Sequence, residues 1–386
     1  MILIKGCECF SPAPLGHVDL LCGGREIIAA EEIINGRSLP GLTFIDGKGL
    51  LAVPGFIDSH AHFLGGGGEG GYTTRTPEIR LTDLTLAGVT TAVGCLGTDG
   101  FTRFPHALLA KSYALEQEGI STFLYTGSYQ IPARTLLDSV EEDLLLIEKY
   151  IGVGEIAISD HRSSQPTLQE LIRVASSARV GGLLAGKAGI VNIHVGGGHE
   201  GIRPLFDLIK HSEIPPTQFL PTHMNRNAPL AESSREWVLS GGYADFTASS
   251  EKPEENPLRP ARLFQKALSD PHTRYHYTYS SDAQGSLPRF DAKGRLTEIG
   301  VAKASSLLEE FRYSLSLGLS MEEALLPLTA NPAAILGLPR KGQITTGRDA
   351  DILLFDSKTL KLNTVIAKGR LLVRDNTPLA RGFFER

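Results

Sequence analysis

His60 and His62 stand one residue apart in VPGFIDSHAHFLGGGGEGG, the stretch from Val53 to Gly71, where an apolar run ends in two imidazoles and then in glycine. Alternate side chains of a β-strand share a face, so both histidines point the same way, together with Asp58 and Phe56. Neutral imidazoles paired at a strand mouth suit a divalent metal. A lone His-x-His reads as plainly as a solvated strand end, so the weight falls on its company. Glu155 lies in an apolar run that ends in Ser159-Asp160-His161-Arg162, and His194 closes IVNIHV ahead of a second glycine cluster. His223 lies in Pro221-Thr222-His223-Met224-Asn225-Arg226, and Asp282 ends Ser280-Ser281-Asp282. Four histidines, a glutamate and an aspartate at the ends of separate strands favour a metal site over six unrelated polar residues.

The elements that must position these groups alternate. From Val53 to about Gly342, short apolar runs such as GVTTAVGCL, ISTFLYTGSY and AGIVNIHVG are separated by helix-like segments such as TPEIRLTDLTLAG, HALLAKSYALEQEG and SVEEDLLLIEKYI. Alternating strands and helices imply a parallel sheet. About eight such units predict a (β/α)8 TIM barrel, an α/β fold whose chemistry sits at the C-terminal ends of its strands. No G-x-G-x-x-G joins a strand to a helix, which argues against a dinucleotide fold. Residues 1–52 and 343–386 read differently, as short strands with glycine and proline turns. They are expected to form one small β-sandwich domain, split in sequence by a catalytic barrel over 53–342.

Composition narrows the function classes. Of 386 residues 41% are hydrophobic and 21% charged, the balance of a globular protein. A formal net charge of −5 with no basic block argues against nucleic acid or an anionic membrane as partner. No apolar run reaches membrane-spanning length, and MILIKGCECF lacks the pattern of a signal peptide, so a cytoplasmic location is expected. Four cysteines, Cys7, Cys9, Cys22 and Cys95, are too few and too irregularly spaced for a disulfide framework or zinc knuckle, and Cys7 and Cys9, on one strand face, read as buried thiols.

His-x-His on strand one, histidines on strands five and six and an aspartate on strand eight resemble the amidohydrolase superfamily. GGGGEGGYTTRTPE, LGTDG, GSYQIPART, AISDHRS, RVGGLLAGKAG, PTHMNRN and SSDAQGS are, along essentially the whole chain, similar to isoaspartyl (β-aspartyl) dipeptidases. The resemblance implies a metalloprotease that hydrolyses the isopeptide bond of β-aspartyl dipeptides with two divalent ions, zinc foremost. It implies that His60, His62 and Asp282 hold one ion and His194 and His223 the other, with a hydroxide between them. Asp282 would take the proton from the hydroxide and deliver it to the leaving amine, and Tyr129 would donate to the developing oxyanion. Glu69, helped by Ser286, would take the substrate ammonium, while Arg162 and Arg226 take its carboxylates. Thr98 is a lesser contact, and Gly67, within Gly65–Gly68, would let backbone amides reach the substrate. A homo-oligomer is also implied, an octamer being the size suggested.

One position departs from the family. Where the relatives carry a carboxylated lysine bridging both ions, this chain has Glu155, in Val153-Gly154-Glu155-Ile156. Glutamate supplies a carboxylate without carbon dioxide, but on a shorter side chain. Either the strand bulges inward, helped by Gly154, or the ions shift. Three readings follow: Glu155 bridges two ions, which is preferred; it binds weakly in a labile or single-ion site; or it is purely structural. Other amidohydrolase activities share the metal ligands without requiring Glu69, Arg162 and Arg226 together. Among them are N-acyl amino acid deacylases and cyclic-amide hydrolases such as dihydroorotase or hydantoinase. A non-catalytic scaffold is the remaining alternative.

Overall fold

The computed structural model describes residues 1–35, 41–249, 255–290 and 296–385. Its centre is a ring of eight parallel strands: β1 (Phe56–Ala61), β2 (Val89–Gly94), β3 (Ser121–Thr126), β4 (Tyr150–Ile158), β5 (Ile190–Val195), β6 (Phe219–Thr222), β7 (Ala244–Thr247) and β8 (Tyr277–Ser280). β1 to β6 pair in chain order, and β7 pairs with β8. Backbone hydrogen bonds close the ring at both gaps. Met224 donates to the Asp245 carbonyl at 3.1 Å between β6 and β7, and Asp282 donates to the His60 carbonyl at 3.1 Å between β8 and β1. Every residue of β1, β2, β4 and β5 is buried, as expected of strands covered on both faces, and this is why they read as near-continuous apolar runs.

The outer helices take their ends from local chemistry. Thr167 and Glu170 form a reciprocal capping box at the start of Leu168–Ala185, and Gly186, in the left-handed region, ends it. The helix expected over TPEIRLTDLTLAG shrinks to Leu81–Thr85. Pro77 disfavours helical backbone at the residue before it, Ile79 donates to the Phe63 carbonyl, and the Arg80–Asp83 capping pair sets the first turn only after that.

Both chain ends meet in one nine-stranded sheet. Its path runs Thr377–Pro378, Arg370–Arg374, Leu362–Ala367, Ile352–Asp356, Leu50–Pro54, Ile2–Phe10, Pro14–Gly23 and Glu26–Glu31, with Thr43–Asp46 pairing off the path onto Ile2–Phe10. Leu50–Pro54 straddles the 52/53 boundary and leads straight into β1. Ile4, Cys7, Cys9, Leu20, Ile352 and Ile366 pack in a core of their own against this sheet. At roughly 25 cal/mol per Å2 of apolar surface removed from water, this burial is what joins segments more than three hundred residues apart in sequence.

Candidate metal and substrate site

Beneath the C-terminal rim of the barrel lies a layer of buried polar side chains. The Asp245 carboxylate accepts from the hydroxyls of Thr222 and Thr278, both at 2.6 Å, of Ser59 at 3.3 Å, and of Ser280. Burial raises its pKa, against the pull of those hydroxyls. Asp58 accepts from the backbone N–H of His60 and of Ser281 and from the Ser281 hydroxyl; burial pushes it up to about 6. Asp58 therefore ties β1 to the turn after β8, which sets His60 and Asp282 at a fixed separation.

On this floor the six residues expected as ligands converge. His60 Nε2 lies 2.9 Å from Glu155 Oε2 and 3.5 Å from Asp282 Oδ1, His62 Nε2 lies 3.0 Å from Asp282 Oδ1, and His194 Nδ1 lies 3.3 Å from Glu155 Oε1. Ligand atoms of Glu155, His194 and His223 fall within 4.8 Å of one another, as do those of His60, His223 and Asp282. Outer partners aim the rings. The Asn192 amide donates to the Leu220 carbonyl, so its oxygen accepts from His60 Nδ1 at 3.1 Å and leaves the Nε2 lone pair facing inward. Asp160 accepts from His194 Nε2 at 3.1 Å, and Thr247 meets His223 Nδ1 at 2.7 Å. Such partners set tautomer and ring orientation.

Glu155 reaches the centre because β4 bulges. Val153 pairs with Val191 and Ile156 with Ile193, so Gly154 and Glu155 together face the single residue Asn192. Gly154 has φ +151, and a Cβ there would sit 2.7 Å from the Asn192 carbonyl oxygen, so only glycine fits. The extra residue brings the shorter glutamate in among the histidines.

The donor set fits divalent ions. Glu155 is fully buried, yet among the described residues neither of its oxygens has a hydrogen-bond partner, and neither does Asp282 Oδ1. The nitrogens that crowd them do so without hydrogen-bond geometry, and buried charge without such compensation is costly. Burial raises the pKa of Glu155, but the imidazoles of His60 and His194 outweigh it and hold the carboxyl well below its usual range. Burial lowers that of His60, but Cys95 and Glu155 hold it well above the imidazole range. A field that holds protons on buried imidazoles holds a divalent cation for the same reason.

The residues expected to bind substrate gather beside this cluster, around a cavity of about 460 Å3. Glu69 Oε1 accepts from Arg162 Nη1 at 2.9 Å, Ser286 Oγ at 3.2 Å and Thr98 Oγ1 at 3.3 Å. Gly67 and Arg226 line the same cavity, with Arg226 Nε donating to the Val195 carbonyl. The Tyr129 hydroxyl lies 2.8 Å from His194 Nδ1, and burial keeps it a neutral donor.

Three contributors escaped the sequence reading as site residues. Asp160 binds Arg162 through both carboxylate oxygens, at 2.9 and 2.8 Å, while it orients His194. Its spacing, two residues before the arginine at a strand end, was the available signal. Asn192 shares a strand face with His194, an alternation visible in IVNIHV. Cys95 lies with its sulfur 3.6 Å from His60 Nε2, and nothing in GCLGTDG marks it.

Residues 237–372 match the amidohydrolase family. Over the whole chain the structure is similar to that of the β-aspartyl dipeptidase of the thermophilic, keratin-degrading Fervidobacterium islandicum AW-1 in complex with a β-Asp-Leu dipeptide. The identity is 44%, the coverage 99% of each chain and the TM-score 0.92. A second structure of that enzyme gives 42% identity, the same coverage and a TM-score of 0.90. A D-hydantoinase (dihydropyrimidinase) from Thermus sp. covers 100% of this chain and 98% of its own at 16% identity and a TM-score of 0.71, a likeness of fold alone.

Proposed function

The chain belongs to the β-aspartyl dipeptidase family of amidohydrolases, and from that premise we infer that it hydrolyses the isopeptide bond of β-aspartyl dipeptides with two bound divalent ions. The observation that carries this reading is the pairing of a buried, uncompensated His/Glu/Asp cluster with a cavity wall where Glu69, Ser286, Thr98 and Arg162 meet. An isoaspartyl dipeptide presents one ammonium and two carboxylates around its scissile amide. Glu69 supplies the acceptor for the ammonium, and Arg162 and Arg226 supply two guanidinium forks for the carboxylates.

His60, His62 and Asp282 would hold one ion, His194 and His223 the other, and Glu155 would lie between them; imidazole and carboxylate donors suit zinc. When bound, such ions lower the pKa of water and polarise the scissile carbonyl. The protein's own groups do the rest. Asp282 takes the proton of the attacking water and returns it to the leaving amine. The Tyr129 hydroxyl donates to the carbonyl oxygen as negative charge develops there. The Glu69–Arg162 pair parts as substrate binds, each group exchanging its partner for the opposite charge on the dipeptide.

Two further readings go with this function. Residues 1–52 and 343–386 act as one unit that braces the catalytic barrel over 53–342, supported by their shared sheet. The protein forms a homo-oligomer, supported by exposed Leu146, Leu183 and Leu184 on neighbouring helices. No described helix is long and apolar enough to cross a membrane.

The test is turnover of β-Asp-Leu against α-Asp-Leu and a cyclic amide, with and without a chelator. Chelator-sensitive cleavage of the β-linked isomer alone is expected. Faster hydrolysis of the α-linked peptide or of the cyclic amide would overturn the reading.

A further inference from the structure

Cys95 follows the last residue of β2 and is buried within the ligand cluster. Its sulfur lies 3.6 Å from His60 Nε2 and 3.8 Å from His62 Nδ1. With His60, His62 and Glu155 it forms a group whose ligand atoms all lie within 4.8 Å of one another.

Hydrogen bonding alone does not account for this convergence. The Nδ1 of His60 is committed to Asn192, so a single inward lone pair remains at Nε2. Glu155 Oε2 at 2.9 Å, Asp282 Oδ1 at 3.5 Å and the Cys95 sulfur at 3.6 Å all approach that one nitrogen. One proton can bridge Nε2 to only one of them, and both Glu155 oxygens lack any hydrogen-bond partner among the described residues. A cation amid His60, His62, Cys95 and Glu155 meets all four of these groups at once. The spacing agrees with this. A tetrahedral zinc with nitrogen at about 2.0–2.1 Å and sulfur at about 2.3 Å sets these two ligands roughly 3.5 Å apart.

We propose that Cys95 supplies a sulfur ligand to the ion held by His60 and His62, which gives one of the two metal positions a mixed nitrogen, oxygen and sulfur donor set. Thiolate favours borderline and soft ions, so this position takes zinc, cobalt(II) or cadmium in preference to manganese or magnesium. The other cysteines make a useful contrast, since Cys7, Cys9 and Cys22 pack in the apolar core against the terminal sheet. The inference rests on the two-metal reading of the site, and its test separates the two.

The purified metal-free protein is loaded with cobalt(II), and bound cobalt per chain and the near-ultraviolet spectrum are measured on the same samples. Two cobalt ions per chain with a sulfur-to-cobalt charge-transfer band are expected. In Cys95→Ser the band disappears while the ligand-field bands of the histidine-bound ions persist. Two cobalt ions without the band overturn the role of Cys95 and leave the two-metal reading standing; failure to bind cobalt overturns both. Competition with a chromophoric chelator supplies a second readout. Removing an outer partner of a metal ligand costs about 10–100-fold in affinity, so losing a ligand in Cys95→Ala should weaken one cadmium ion by at least about tenfold. Unchanged cadmium affinity in Cys95→Ala, with the band retained in Cys95→Ser, overturns the proposal. Cadmium-113 resonance of the unmodified protein needs no variant, and only a sulfur-bound ion gives the strongly downfield signal expected.

Discussion

Buried charge collects at both ends of the barrel, and the two ends treat it in opposite ways. At the base, Lys341 Nζ lies 2.8 Å from Asp349, 2.7 Å from Asp351 and 2.6 Å from the hydroxyl of Ser121, at the start of β3. Lys149, just before β4, donates to the carbonyl and hydroxyl of Thr122 and pairs with Glu116. On the flank, Glu310 is nearly as buried as Glu155, but its oxygens accept from Arg259 at 2.7 and 3.1 Å and from the backbone of Ala261 at 2.9 Å. At the mouth, by contrast, Glu155 and Asp282 carry oxygens that no protein group satisfies among the described residues. Burial of a carboxylate is therefore not the signal of function in this chain. The signal is a buried carboxylate whose partner must come from outside.

The contrast can be broken at either end. The largest effect is expected at its extreme: Glu155→Ala should reduce β-Asp-Leu hydrolysis to background, with fewer than two ions per chain by metal analysis and an unfolding temperature close to that of the metal-free parent. Full ion content in that variant would show that Glu155 is not needed to hold metal. The matching change at the base, Lys341→Met, leaves Asp351 without its cationic partner, keeping only the Lys368 backbone N–H, and should cost about 3–5 kcal/mol in denaturant unfolding. The protein that stays folded should keep its ions and its kcat; loss of metal there would erase the distinction between the two ends. Gly154→Ala tests the bulge that joins strand geometry to the mouth. Forcing a Cβ onto the Asn192 carbonyl should cost about 1–3 kcal/mol and lower metal content, and unaltered stability would show that β4 relaxes.

A smaller effect is expected one layer out. Asp160→Asn keeps the shape but loses the charge that grips Arg162 and one of the two acceptor oxygens shared by Arg162 and His194, so kcat/KM should fall about 10–100-fold. Because one carboxylate contacts both Arg162 and His194, KM should rise as kcat falls. A change in only one of them would separate the two roles.

Lowering the pH should sharpen the comparison most gently. Burial lowers the pKa of His62, but Cys95 and Asp282 hold it well above the usual 6.5, so protons compete with the ions while the fold is intact. Burial raises that of Asp349, but Lys341 holds it below the usual 3.8. A carboxyl with a lowered folded value stabilises fully above its unfolded value and loses that contribution only as pH falls through the folded one. Metal and activity are therefore expected to be lost at a higher pH than the fold, followed by metal analysis and circular dichroism across one titration. Coincident loss would contradict the separation.

Much of this was legible in the chain. The alternation of apolar runs with helical segments implied the eight-stranded barrel, and His60, His62, His194, His223 and Asp282 were placed at strand ends by position alone, whereas Glu155 lies inside β4. The substitution at Glu155 and the neighbouring Gly154 even suggested the bulge in β4. These features are local: strand periodicity, the type of residue at a strand end and a glycine where backbone must do something unusual are all written within a few residues of one another. The short helix at Leu81–Thr85 was overestimated because the pairing of Ile79 with Phe63 is not visible in its own window.

What only the tertiary structure decided is which polar groups find partners. Asp245 and Glu155 look alike in sequence as single carboxylates in strands. Asp245 is silenced by hydroxyls from β1, β6 and β8, whereas neither oxygen of Glu155 has a hydrogen-bond partner among the described residues. Cys95 belongs to the cluster because β2 lies beside β1, and Asp160 matters because β5 brings His194 to a carboxylate that already grips Arg162 in its own turn. Strand identity is set by short-range pattern, but electrostatic compensation is set by the sum of neighbours brought from distant parts of the chain.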